Sequence, residues 1–113
     1  MSTYFYGQSA KDSKYYFRLR DNNNEIILAS TEGYNSEQGC LIGINSVKQN
    51  SPYDHNYRKF FGSDGKYYFT LKAGNGEPIG KSEGYNSESN CDRGIENCKK
   101  EAPGASTVKL VSF

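Results

Sequence analysis

No apolar run in this chain approaches the ~20 residues of a membrane-spanning helix. Residues 1–7 lack both the basic segment and the apolar core of a signal peptide, so a cytoplasmic address is expected. No excess of charge of one sign exists either. Lys plus Arg number 14 against 13 for Asp plus Glu, and a formal charge of +1 creates no global field that would call for DNA, RNA or an anionic membrane. Cysteine is scarce and odd in number, at 3, with no CxxC or CxxH spacing. No G-x-S-x-G element accompanies the single histidine, His55, which reads as a solvated residue of the polar stretch 51–56. Neither a metal, a cofactor nor a catalytic residue is expected.

Hydrophobic residues make up only 35% of the chain, and its mean hydropathy is -0.86. Yet 10 tyrosines, 6 phenylalanines and 12 glycines do not fit a charged, disordered polymer. A length of 113 residues suits one compact domain.

The chain is written twice. Lys14-Tyr15-Tyr16-Phe17-Arg18-Leu19 returns as Lys66-Tyr67-Tyr68-Phe69-Thr70-Leu71, and Glu32-Gly33-Tyr34-Asn35-Ser36-Glu37 returns unchanged as Glu83-Gly84-Tyr85-Asn86-Ser87-Glu88. With Thr31 left out, residues 14–52 align with 66–103 at 20 identities in 38 positions. Residues 1–52 form one unit and 53–113 the other, together building one compact domain.

Each unit reads as strands followed by a helix. Tyr15, Phe17 and Leu19 alternate with Tyr16, Arg18 and Arg20, and Tyr67, Phe69 and Leu71 alternate with Tyr68, Thr70 and Lys72. Turn residues at 12–13 and 64–65 make the segments near Phe5 and Tyr57 the incoming hairpin arms, with Tyr57 set by offset on Phe5 and Val108 on Tyr57. A third strand follows in each copy, at 25–30 and 77–82. Pro78 predicts that the later one is short or lies at an edge. Ser36 and Ser87 are candidate N-caps, with Pro52 and Pro103 closing the helices. Cys40, Gly43, Ile44 and Val47 share one helical stripe, as do Cys91, Gly94, Ile95 and Cys98. A helical glycine costs roughly 1 kcal/mol relative to alanine, so its recurrence implies a close approach by the other helix or the sheet. The expected fold is α+β: two tandem β3-α-β units sharing one antiparallel sheet, both helices on one face, final strands exchanged.

The second copy carries Gly-Lys-(aromatic)-Tyr-Phe-x-Leu-Lys-Ala-x-Asn-Gly-Glu at 65–77, Ser-Glu-x-Tyr-x-Ser at 82–87, then Gly94, Ile95 and Pro103. This pattern resembles the YegP-like family, small bacterial proteins with a domain of unknown function. The resemblance covers nearly the whole chain and implies β3-α-β units, in tandem or as a dimer of single units, that assemble one sheet. It implies no activity. The chain departs from the pattern at Cys40, Cys91 and Cys98, and at 22–24, where three asparagines replace a glycine-bearing turn.

Four features are candidates for function. Cys91 and Cys98 stand seven residues apart, roughly 10 Å along a helix and too far for a disulfide, so the cysteines read as buried unpaired thiols. The turn motif sets Glu32, Tyr34 and Ser36, and again Glu83, Tyr85 and Ser87, at a helix N-terminus. There they would form an anion site, an enzyme's acid and phenol, or only a strand end, packing tyrosine and cap. Tyr16, Arg18, Arg20, Tyr68, Thr70 and Lys72, joined by Tyr4 and Tyr6, form the sheet face away from the helices, a pattern suited to single-stranded bases, sugars or peptides. Near-neutral charge counts against nucleic acid there, and half-exposed strand tyrosines are the plainer reading. Ile26, Leu28, Leu41 and Ile42 correspond in the repeat to Pro78, Gly80, Asp92 and Arg93, which suggests an apolar surface on the first unit for a partner or a second chain. The expectation is a non-enzymatic binding or structural module.

Overall fold

The computed structural model describes residues 1–113. Strands β1 (Thr3–Gln8), β2 (Tyr15–Arg20) and β3 (Ile26–Ala29) precede helix α1 (Glu37–Asn50), and β4 (Tyr57–Phe61), β5 (Tyr67–Lys72) and β6 (Pro78–Lys81) precede α2 (Glu88–Glu101). A last strand, β7 (Ser106–Lys109), follows. All seven strands form one sheet in the order β4-β5-β6-β3-β2-β1-β7. Five strand interfaces are antiparallel, and β1–β7 is parallel.

The duplication explains this order. Ala29 pairs with Lys81, its own equivalent in the repeat, so a pseudo-two-fold between β3 and β6 relates β1, β2 and β3 to β4, β5 and β6 respectively. Leu28 likewise meets its equivalent Gly80, where a Cβ would overlap the leucine side chain. One large and one absent side chain fit that axis; two leucines would not. After α1 the chain enters β4, which pairs with β5 of the second unit; after α2 it enters β7, which crosses back to pair with β1 of the first unit. β1 already holds the place beside β2, so β7 is displaced one strand outward and runs parallel. β6 is short, at four residues, but central; Pro78 stands at its first position, where a missing N–H does least harm.

One sequence expectation fails by a single residue. The turn closed by Ser9 N–H to Lys14 O (2.8 Å) is one residue longer than the turn closed by Gly62 N–H to Lys66 O (2.7 Å). Tyr4 therefore pairs with Leu19 as Tyr57 pairs with Leu71, making Tyr4, not Phe5, the counterpart of Tyr57. A shift of one residue turns a whole strand over. Tyr4 and Tyr6 are buried on the helix side, and Phe5 takes the outer face.

Both helices cover one face of the sheet, and 17 buried residues form one core cluster across the two units. α1 packs against β6 and α2 against β3, so each helix bridges to the other copy. The turn motif is the joint between the layers. Tyr34 exchanges both backbone hydrogen bonds with Tyr15, at 2.8 Å, and Tyr85 does the same with Tyr67. The Tyr34 ring lies on Phe17 (6.3 Å between centroids) and the Tyr85 ring on Phe69 (6.3 Å). The following serines cap the helices: Ser36 Oγ accepts from Gly39 N–H at 3.0 Å, and Ser87 Oγ from Asn90 N–H at 3.1 Å.

The repeated helix glycines answer to these tyrosines rather than to a helix or a strand. A Cβ on Gly43 would come within 2.6 Å of Tyr34 Cζ, and one on Gly94 within 2.5 Å of Tyr85 Cζ. Gly43→Ala and Gly94→Ala are each expected to destabilise the fold by about 1–3 kcal/mol through overpacking, although alanine favours a helix. Urea unfolding checks this, and a midpoint unchanged or raised would contradict the packing.

Candidate functional site

The outer face of the sheet is built by alternation. No strand contains an aspartate or a glutamate; all 13 acidic residues lie in turns or helices. Lys59 and Lys109 point to the helix side, where Lys59 bridges Glu88 and Asp92 and Lys109 bridges Glu37. The register turns the other five strand cations, Arg18, Arg20, Arg58, Lys72 and Lys81, to the outer face. None of these five has a carboxylate partner. A chain near neutrality thus carries a basic sheet, because its acids are confined to the rim and the helical layer.

Aromatic rings lie between the cations. Phe60 stacks on Tyr68 at 5.4 Å and 13°, and Lys81 Nζ sits 4.8 Å from the Tyr68 centroid. At the other end Phe113 stacks on Tyr16 at 6.2 Å and 12°, with the Arg18 guanidinium 4.4 Å from the Phe113 centroid. Rim carboxylates hold the tyrosines: Tyr16 Oη donates to Asp12 at 2.6 Å, and Tyr68 Oη donates to Asp64. These bonds hold both aspartates below the ordinary carboxylate range and raise both phenols. Arg20 donates to Asn24 O at 2.7 Å, Thr70 lies opposite Lys81, and Lys72 lies opposite Pro78. Shallow depressions of about 370 and 230 Å³ flank Phe113, the first beside Tyr16 and Ala29, the second beside Phe5 and Arg20.

The six outer-face residues named from the sequence lie on one surface, but Tyr4 and Tyr6 do not. Phe5, Arg58, Phe60 and Lys81 join it; alternation within 57–61 carried the signal for Arg58 and Phe60, whereas a β-bulge that buries both Ile79 and Gly80 hid that of Lys81. Nothing in the sequence placed Phe113 there.

The turn residues are deployed differently. Glu32 and Glu83 are exposed, Tyr34 and Tyr85 are half-buried against the helix glycines, and Ser36 and Ser87 are engaged as caps. An open groove of about 650 Å³ runs beside Tyr34 between α1 and the turn before β6. Its walls carry Glu32 and Glu77 and no cation, a poor setting for an anion.

The apolar set of the first unit does not form one surface. Leu28 is fully buried against Gly80, and Ile26 is half-buried opposite Arg20 on the outer face. Leu41 and Ile42 stand on α1, with Ile42 62% exposed. His55 is exposed beside Tyr53.

Two stretches, 10–57 and 63–108, match a domain of unknown function, DUF1508. The chain belongs to the DUF1508 family. It is 47% identical over 111 residues to the UPF0339 protein in the ptx operon 5' region of Stutzerimonas stutzeri, covering 97% of this chain and 98% of that one. The UPF0339 protein YegP of Escherichia coli O157:H7 is 41% identical over 110 residues, covering 96% of this chain and 97% of that protein. The solution NMR structure of E. coli yegP superposes with a TM-score of 0.87 at 34% identity, over 96% of this chain and 91% of the other. That of UPF0339 protein SO3888 from Shewanella oneidensis gives 0.86 at 33%, over the same shares. The YegP-like resemblance and the α+β tandem fold are thereby established, and the relatives are proteins of uncharacterised function from bacteria.

Cys40, Cys91 and Cys98 are free and buried, as their shared helical stripe predicts. Burial pushes the Cys40 and Cys98 thiols up to about 11. At pH 8 about one molecule in a thousand is a thiolate at such a site. Native protein should therefore leave a thiol-reactive disulfide reagent nearly unconsumed at pH 8, while urea-unfolded protein consumes three equivalents. Their raised folded values stabilise the protein fully below the unfolded thiol value of ~8.5. That contribution is lost as pH rises towards 11, and a urea midpoint flat across this window would contradict the assignment.

Proposed function

We propose that the protein is a non-enzymatic binding module whose outer sheet face takes single-stranded nucleic acid. Bases stack at Tyr16 and on the Phe60–Tyr68 pair, and phosphates meet Arg18, Arg20, Arg58, Lys72 and Lys81. One observation carries this reading: five unpaired cations share an acid-free sheet with stacked aromatic rings. Stacking on aromatic side chains is worth ~1–3 kcal/mol per base and tolerates any sequence, which suits a face whose free donors are cations able to meet phosphates. Net charge alone argues against such a ligand, but the field at a surface depends on where charges lie, and here the cations are set apart from the acids. A neutral glycan would use the rings and leave the cations without partners. Three free cysteines support a reducing, cytoplasmic setting.

Fluorescence anisotropy with a labelled oligothymidylate or oligouridylate tests the reading. Binding should weaken with salt, the slope of log K against log salt approaching about -3.5 when all five cations are engaged. Tyr68→Ala should weaken binding by about 1–3 kcal/mol, and Arg58→Ala with Lys72→Ala should flatten the salt slope by about 1 to 1.5. Anisotropy that does not rise, or a Kd indifferent to salt and to both variants, would refute it.

A further inference from the structure

We infer that the Tyr16–Arg18 end of the outer face is an aromatic subsite that this chain fills with its own Phe113, and that a nucleobase takes the place of that ring. The inference rests on the single-stranded nucleic-acid reading above and says how the two ends of the face differ.

In the second unit the ring over Tyr68 comes from within the ladder, since Phe60 is its direct cross-strand partner. The equivalent partner of Tyr16 is Gly7, which has no ring to offer. Phe113 fills that gap from outside the ladder. A Cβ on Gly7 would meet Phe113 Cβ at 3.3 Å and Leu110 O at 3.2 Å, so the returning tail lies directly over the glycine. The two halves thus present the same stacked pair, one built from adjacent strands and the other completed from the end of β7.

The attachments of the two rings differ in kind. Phe60 is fixed by the β4–β5 pairing of its own backbone. The tail is pinned once, by Leu110 N–H to Tyr6 O at 2.8 Å, and residues 111–113 make no hydrogen bond beyond it. Val111 is fully exposed. Phe113 is therefore held by ring contacts: a parallel stack on Tyr16 and the guanidinium of Arg18. A base stacked on a tyrosine beside an arginine makes the same two contacts, and its phosphate adds attraction to Arg18 and Arg20 that a phenylalanine ring lacks. The depressions of about 370 and 230 Å³ on either side of Phe113 leave room for the ring to swing off Tyr16.

The test compares the full chain with Phe113→Ala, and with Phe113→Ala combined with Tyr16→Ala, using a labelled oligothymidylate in anisotropy. Removing the ring should tighten binding about 3- to 10-fold, and removing Tyr16 as well should abolish that gain. In the unaltered chain, nuclear Overhauser contacts between the Phe113 and Tyr16 rings should vanish at saturation with oligonucleotide. Binding that Tyr68→Ala weakens but Phe113→Ala does not tighten, with the Phe113–Tyr16 contacts persisting at saturation, would overturn the inference and leave the nucleic-acid reading standing. No binding by any of these chains would remove the reading and the inference together.

Discussion

The structure depends on one tyrosine per repeat seated against one helix glycine. Tyr34 and Tyr85 each pair antiparallel with the first residue of their unit's second strand through two backbone hydrogen bonds, cover a buried phenylalanine, and end against Gly43 or Gly94. The serine two residues later caps the helix that the tyrosine supports. Sheet, turn and helix are thus held at a set spacing by a motif of six residues, and any side chain at the glycine would separate the layers. This accounts for the unchanged tyrosine and serine of the motif and for the glycine kept at the same place in both helices.

That drift is uneven, and it has structural consequences. At the pseudo-two-fold the copies must differ, because Leu28 and Gly80 occupy a space that holds one large side chain. At the sheet edges they differ because the chain has one strand more than two symmetric units need. β4 ends the sheet on one side, while β1 is covered by the displaced β7 on the other. The tail beyond β7 then reaches an outer face that β4 and β5 complete by themselves. The asymmetry of the candidate ligand face follows from topology as well as composition.

Charge placement gives that face its character. Lys59 and Lys109 turn inward to the acids near the helix N-termini, and Asp12 and Asp64 turn to tyrosine hydroxyls at the rim. The remaining strand cations face outward without a counter-charge. Exposed cations on neighbouring strands repel one another weakly through water, so the fold tolerates this arrangement at small cost. An anion lying across them would gain from all of them at once.

Alternation and turn residues were enough to read the strands and helix of each unit, the caps at Ser36 and Ser87 and the buried cysteine stripe, because each is set by contacts within some twenty residues; the single shared sheet was read from the duplication and not from any local pattern. Pairing across the repeat was not legible. A hairpin one residue longer reversed the facing of Tyr4, Tyr6 and Phe5, and neither the central place of β6 nor the burial of Leu28 against Gly80 follows from either copy taken alone. Of the outer face, the sequence determined the alternation that brings Tyr16, Arg18, Arg20, Tyr68, Thr70 and Lys72 to one side. Only the tertiary structure brought Phe113 onto Tyr16, since the displacement of β7 by β1 is decided by which strand already occupies the edge, a condition that no local pattern of residues encodes.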